Sequence, residues 1–258
     1  MCYKKPLIDR PPIIKSGDIA FVMPKAMQEK ADEIAVGLQL ICKRKLFGAV
    51  YAELMPEFFN EASPDSGVMI AAFVPTSKVL INVLFPGDID LLIIPYDKEH
   101  LLLSQTLVVE LKIVRATFIR QDRSPNQFGF SQAQALLACG FPYAGVAHVI
   151  VSDESPESAW REVYEATILD ETGKCSELKP IFRDMMPSAL IGRSFGRLQT
   201  NCPSEELGYV AAYLAEEDVW YPSGRSATQN SELSYETMDA IGEFYENNVK
   251  RFLDTPTF

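Results

Sequence analysis

Histidine is scarce in this chain of 258 residues, and so is positive charge; each shortage closes off a class of function. Only His100 and His148 are present, which leaves little for a Ser-His-Asp triad or an imidazole-rich metal site. The five cysteines, Cys2, Cys42, Cys139, Cys175 and Cys202, are odd in number and never spaced C-x-x-C. That spacing argues against a zinc site and predicts a reduced, cytoplasmic setting. No G-x-x-x-x-G-K-[ST] loop and no G-x-S-x-G elbow occur, so neither NTP hydrolysis nor serine-hydrolase chemistry is expected. No apolar run approaches the ~18 residues of a membrane span, and "MCYKKPLIDRPPIIK" lacks the apolar centre of a signal peptide. Lys and Arg number 24 against 35 Asp and Glu, a net charge of −11 that opposes indiscriminate coating of nucleic acid.

The charge is uneven. Residues 1–30 hold six basic and three acidic residues (6 − 3 = +3), whereas residues 201–258 hold three and eleven (3 − 11 = −8). The acidic C-terminal region is therefore expected to face away from nucleic acid and to serve a protein partner or a homodimer.

Hydrophobic residues make up 47% of the chain, ample for a core. Pro24 suits the first turn of a helix running to about Phe47, with Met27, Ala31, Ile34, Leu38 and Ile41 as its apolar stripe. "GAVYAELMPEFF", "VMIAAFVP" and "VLINVLFP" read as strands, and "DIDLLIIP" and "TLVVELKIV" read so most clearly. "QFGFSQAQALLAC" predicts a helix closed by Gly140 and Pro142, and "AGVAHVIVS" another strand. Beyond residue 153 the pattern predicts a helix around Trp160, a short strand at "EATILD", then helices. Leu207, Val210, Tyr213 and Leu214 are spaced as a helical stripe. This order implies an α/β fold with a mixed sheet flanked by helices. The expected organisation is an N-terminal extension (1–24), a core (25–152) and a mostly helical C-terminal elaboration (153–258).

Charge interrupts the two clearest strands. Side chains alternate along a strand, so Asp88 and Asp90 share one face, with Ile89 and Leu91 on the other. Glu110 and Lys112 likewise share a face, with Val109, Leu111 and Ile113 opposite. If the strands are neighbours, Asp90, Glu110 and Lys112 converge. Isolated buried charges are costly, so they must pair or bind a metal. Two carboxylates and a backbone carbonyl make a hard-oxygen site suited to Mg²⁺ or Mn²⁺, and Lys112 would stand ready to orient or deprotonate a water beside it. An ion pair between Glu110 and Lys112, with Asp90 capping a turn after Pro86-Gly87, is the purely structural alternative. His148 reads as a satisfied histidine in an apolar strand. Trp160, Phe128, Phe130 and Phe141 read as packing.

"PGDID", followed by "VELK" with Glu110 twenty residues after Asp90, resembles the PD-(D/E)xK nuclease superfamily, the restriction-endonuclease-like fold. The resemblance spans residues 25–152 and includes the succession of helix, Asp strand, Glu-x-Lys strand, glutamine-bearing helix and strand. It implies a metal-dependent nuclease acting on DNA. Asp90 would be the acidic ligand (Asp88 the fallback), Glu110 the second, and the Leu111 carbonyl the third. Lys112 would act on the attacking water. Family members also use a glutamate from the first helix, for which Glu33 and, alternatively, Glu53 are available. A helix glutamine is likewise implied. Gln127, Gln132 and Gln134 are present, and Gln132, beside Phe128, Ala135 and Leu136, is turned toward the apolar side. Apart from the resemblance, Arg115, taken to continue the Lys112 side, with Arg120 and Arg123, would contact phosphates or stand as ordinary loop charge. The other reading is a non-catalytic, nuclease-like module binding nucleic acid or protein.

Overall fold

The computed structural model of the chain describes residues 3–12, 17, 19, 21–81, 83, 87–215 and 220–256. Its elements in order are β1 (Lys4–Pro6), α1 (Lys25–Glu29), α2 (Glu33–Cys42), α3 (Arg44–Leu54), α4 (Pro56–Glu61), β2 (Ser66–Pro75) and α5 (Thr76–Val79). Next come β3 (Asp88–Asp97), β4 (His100–Leu102), β5 (Leu107–Arg115), α6 (Phe130–Ala138) and β6 (Tyr143–Val151). The remainder is β7 (Arg161–Glu165), β8 (Lys179–Arg183), α7 (Met186–Asn201), β9 (Gly208–Tyr213), β10 (Ser223–Arg225), α8 (Tyr235–Asn247) and β11 (Leu253–Pro256). No helix among the described residues is long and apolar enough to cross a membrane.

Nine strands form one mixed sheet among the described residues. β3 lies antiparallel between β2 and β5, while β5, β6 and β9 run parallel. β11 adds antiparallel to β2 and β10 to β9. One face packs α2 and α3 against Leu91, Ile93, Val109, Leu111 and Ile113. The other packs α6, α7 and α8 against Leu92, Ile94, Val108, Val146 and Ile150. Coverage on both faces explains why the central strands read as continuous apolar runs.

The helical run expected from Pro24 to Phe47 is three pieces. Ala31 takes a φ of +46° between α1 and α2, and the chain breaks again at Lys43. The first break resets the helical phase. α2 buries Ala35, Val36, Gly37, Leu40 and Ile41, whereas Ile34, expected in the stripe, is 41% exposed. The Asp32 side chain caps α2 by accepting from the Ile34 N–H. "GAVYAELMPEFF", expected as a strand, forms the end of α3 and then α4. Leu46, Phe47, Val50, Tyr51 and Leu54 recur at helical spacing and are buried. "VLINVLFP" is not a strand where it is described: Val79 ends α5 and Ile81 is exposed, and residues 82 and 84–86 lie outside the described residues.

The expected mostly helical C-terminal elaboration also needs correction. β9, β10 and β11 belong to the main sheet, so these strands, with α7 and α8 packed on it, complete the core rather than decorate it, while β7 and β8 stand apart. Leu207, Val210 and Tyr213 are not a helical stripe. Gly208–Tyr213 is a strand buried at every residue, and a sequence buried on both faces contains helical spacing by default. Around Trp160 stands only a 3₁₀ turn, Glu157–Ala159, followed by β7. Beyond Glu165, "EATILD" contributes one isolated bridge, Ile168 to Cys175. In α8, Glu236, Glu243 and Glu246 are exposed as expected of an acidic face, while residues 216–219 lie outside the described residues.

Candidate active site

The β3–β5 ladder ends at the pair Leu91–Val109, while β5 stays paired with β6 as far as Arg115. From Glu110 onward, the β3-facing edge of β5 is therefore open. Asp90 fills that gap: its Oδ2 accepts from the Leu111 N–H at 2.7 Å. The N–H and C=O of a strand residue face the same edge, so the Leu111 carbonyl also points to this opening.

Strict alternation fails at Asp90. Leu91 and Ile93 enter the α2–α3 core, but Ile89, expected beside Leu91, packs with Leu92 and Ile94 in the other. The cause lies across the sheet. Phe73 takes a φ of +51°, and the β2–β3 ladder skips its pairing with Asp90. This local distortion accompanies the carboxylate's turn toward β5.

On β5 the alternation holds. Leu111 and Ile113 enter the α2–α3 core, while Glu110 and Lys112 face the side that packs α6. Lys112 Nζ lies 2.6 Å from Glu110 Oε1 and 3.5 Å from Glu33 Oε1. Glu33 opens α2 and reaches over the sheet edge. α2 can sit this low because Gly37 has no side chain; a Cβ there would stand 2.7 Å from the Phe73 ring and 2.9 Å from Leu111 Cδ1. Asp90, Glu110, Lys112 and Glu33 thus form one charged cluster, with Asp90 and Glu110 8% and 4% exposed.

Burial, then repulsion from Glu110 and Glu33, push the Asp90 carboxyl up to about 7, against the pull of the Leu111 N–H and Lys112. Burial also raises Glu110, opposed by its bond to Lys112. For Lys112 burial works downward, yet the bond and charge of Glu110, with Glu33 and Asp90, raise it overall. Lys112 is therefore held as an ammonium.

Among the described residues no group of three or more His, Cys, Asp or Glu side chains is arranged to hold a metal. Mg²⁺ does not require one, since it keeps several waters and takes one or two carboxylates. Two carboxylates that disfavour ionising together, beside a strand edge bearing a carbonyl, fit such a cation. The Glu110–Lys112 ion pair satisfies one of the two acids without it.

The remaining candidates separate. Asp88 opens β3 and is exposed. Glu53 does not approach the cluster: it lies on α3 against Gly224 of β10. Gln132 is half-buried and bonds Ser131 Oγ; Gln127 and Gln134 are exposed. Arg115 does not continue the Lys112 side. Three residues away on a strand is the opposite face, and its guanidinium donates to the carbonyls of Lys30 and Ala31, tying down the α1–α2 turn. Arg120 and Arg123, with Arg115, line an open cleft of about 690 Å³ between Ile113 and Asn126, and none of its lining residues is acidic.

Three further residues support the site: Gly129 and Ser194, to which the sequence assigned no role, and Arg197, whose basic stretch Arg193–Arg197 was expected to touch a nucleic-acid backbone and instead binds the protein's own carbonyls. Gly129, with φ +90°, begins α6, and a Cβ there would stand 3.0 Å from Glu110 Cγ and 3.3 Å from Lys112 Cγ. The lone glycine between Phe128 and Phe130 was its signal. On α7, Arg197 donates to the carbonyls of Asp122 and Arg123, and Ser194 meets His148 Nδ1 at 3.1 Å. His148 is paired with Lys112 across β5–β6, and its Nε2 lies 3.2 Å from the Phe128 carbonyl. A carbonyl only accepts, so Nε2 carries the hydrogen and Nδ1 accepts from Ser194. Burial holds this imidazole neutral, its pKa pushed down to about 4. It anchors the loop leading into α6.

No family model, curated protein or solved structure matches the chain.

Proposed function

We propose that the chain is a metal-dependent nuclease of the PD-(D/E)xK, restriction-endonuclease-like kind, hydrolysing phosphodiester bonds in DNA. One observation carries this reading: Asp90, Glu110 and Lys112 meet at the point where β3 leaves β5, with Asp90 bonded to the main chain between the other two. The order of elements supports it, since α2, the antiparallel strands β2, β3 and β5, helix α6 and the parallel strand β6 follow the succession implied by the resemblance.

Asp90, Glu110 and the Leu111 carbonyl would hold Mg²⁺ or Mn²⁺, which supplies the positive charge that a scissile phosphate and its attacking water need. Lys112, which Glu110 holds as an ammonium in the metal-free chain, would donate to that water or to a phosphate oxygen. Glu33 shares Lys112 and steadies it. Arg120 and Arg123 contact flanking phosphates through the cleft that continues from β5.

The second reading, a non-catalytic module, draws on the 2.6 Å Lys112–Glu110 pair, which needs no metal to be satisfied. Incubation with single- and double-stranded DNA and RNA in Mn²⁺, against an EDTA control, separates them. Metal-dependent cleavage lost in Asp90→Asn and Glu110→Gln supports the nuclease; intact substrates under all conditions refute it.

A further inference from the structure

β7 and β8 form a two-stranded ribbon outside the main sheet, and among the described residues β7 pairs only with β8. A lone two-stranded ribbon is marginally stable in water. This one nevertheless keeps Tyr164 and Phe182 67% and 68% exposed. Natural sheets guard such open edges or use them for pairing.

The two outer edges differ. β8 reads Lys179-Pro180-Ile181-Phe182-Arg183. Pro180 has no N–H to donate, and a second copy laid antiparallel about Ile181 would set Lys179 against Arg183 twice. β7 reads Arg161-Glu162-Val163-Tyr164-Glu165, exposed at every residue but the half-buried Val163. A second copy laid antiparallel about Val163 sets Arg161 of each chain against Glu165 of the other. A two-fold interface presents one patch to itself, and β7 is self-complementary in this sense while β8 is not.

We propose that a second copy of this chain docks edge to edge on β7, antiparallel and centred on Val163, joining two ribbons into a four-stranded sheet. The main-chain ladder and the apolar side chains supply the attraction; the Arg161–Glu165 pairs select the register. This surface is distinct from the acidic region at residues 201–258 and does not depend on the nuclease reading.

Charge exchange tests it, because the ribbon's own pairs respond differently from the interface. Within one ribbon Arg161 faces Arg183, and Glu165 faces Lys179. Arg161→Glu therefore improves pairing inside the ribbon while placing like charges across the two-fold axis. Sedimentation velocity of the full chain over a concentration series should show a dimer for the native sequence. Arg161→Glu should weaken it by ~10-fold or more, from two pairs each changed from attraction to repulsion. The double exchange R161E/E165R should restore it, since it leaves one favourable pair within each ribbon, as before. Val163→Cys should form a disulfide-linked dimer on mild oxidation, because residues facing each other across an antiparallel pair lie within disulfide reach. The native chain, with Cys42 and Cys175 exposed, is the control for that oxidation. A monomer throughout the series with no Val163→Cys cross-link overturns the proposal. A dimer unmoved by Arg161→Glu also overturns it, since another surface must then hold the copies together.

Discussion

Removing the Asp90 charge should make the metal-free protein more stable while abolishing its function. The buried carboxyl prefers its proton, with its pKa at about 7 against an ordinary 3.8. Between those values the folded chain binds a proton that the unfolded chain has released, so stability falls as pH rises. The stabilising preference is fully present below 3.8 and lost as pH passes 7. At ~1.4 kcal/mol per pH unit across that window, ionising Asp90 costs the fold up to ~4 kcal/mol. Asp90→Asn removes the charge and keeps an oxygen to accept the Leu111 N–H. In EDTA at pH 8 the variant should melt ~5–10 °C above the native chain, taking roughly 3 kcal/mol as the realised gain. At pH 4 the two should nearly coincide. Adding Mn²⁺ at pH 8 should raise the native melting temperature by mass action and leave Asp90→Asn unmoved. Thermal unfolding followed by fluorescence at both pH values, with and without the ion, provides all the comparisons. If Asp90→Asn is no more stable than the native chain at pH 8, Asp90 is not a strained buried acid, and the reason for placing a cation there disappears.

Lys112→Ala should retain Mn²⁺ in calorimetric titration, since an ammonium has no lone pair to give, yet lose cleavage by ~10²-fold or more; full activity would make the lysine merely structural. Gly129→Ala should destabilise by at least ~1 kcal/mol because its φ is +90°, and it should weaken Mn²⁺ binding by crowding Glu110, both measurable by melting with and without the ion. An unchanged Mn²⁺ affinity would show that the start of α6 does not hold Glu110 in place. The double variant R120A/R123A should bind a labelled duplex more weakly and lower the slope of log affinity against log salt by ~2, the loss of two phosphate contacts; an unchanged slope would take the cleft out of the substrate path.

Periodicity and composition exposed β3, β5, α6 and β6, because layers on both faces of the sheet bury most of the strand residues and one face of α6. Periodicity failed where one break changes the phase. Ala31, at φ +46°, made the first of two breaks in one expected helix and rotated its apolar face. It failed again at β9, where burial of both faces erases the difference between periods of two and 3.6. For the site, Asp90, Glu110 and Lys112 stood out because charge inside an apolar strand demands a partner. Glu33 was preferred to Glu53 only as a glutamate at the edge of the first helix's apolar zone; the docking of α2 over the sheet edge, allowed by Gly37, is what brings it to Lys112.

The sequence by itself determined which residues had to find each other: acids and a lysine in strands otherwise apolar, under a desolvation cost that composition alone makes visible. Only the tertiary structure decided where they meet and what stands behind them. The early end of the β3–β5 ladder, the Phe73 distortion that accompanies the turn of Asp90 toward Leu111, and the hold of α7 on His148 and the 122–123 backbone all join residues far apart in the chain. Contacts of that kind depend on how whole layers stack, and no local pattern of residues encodes them.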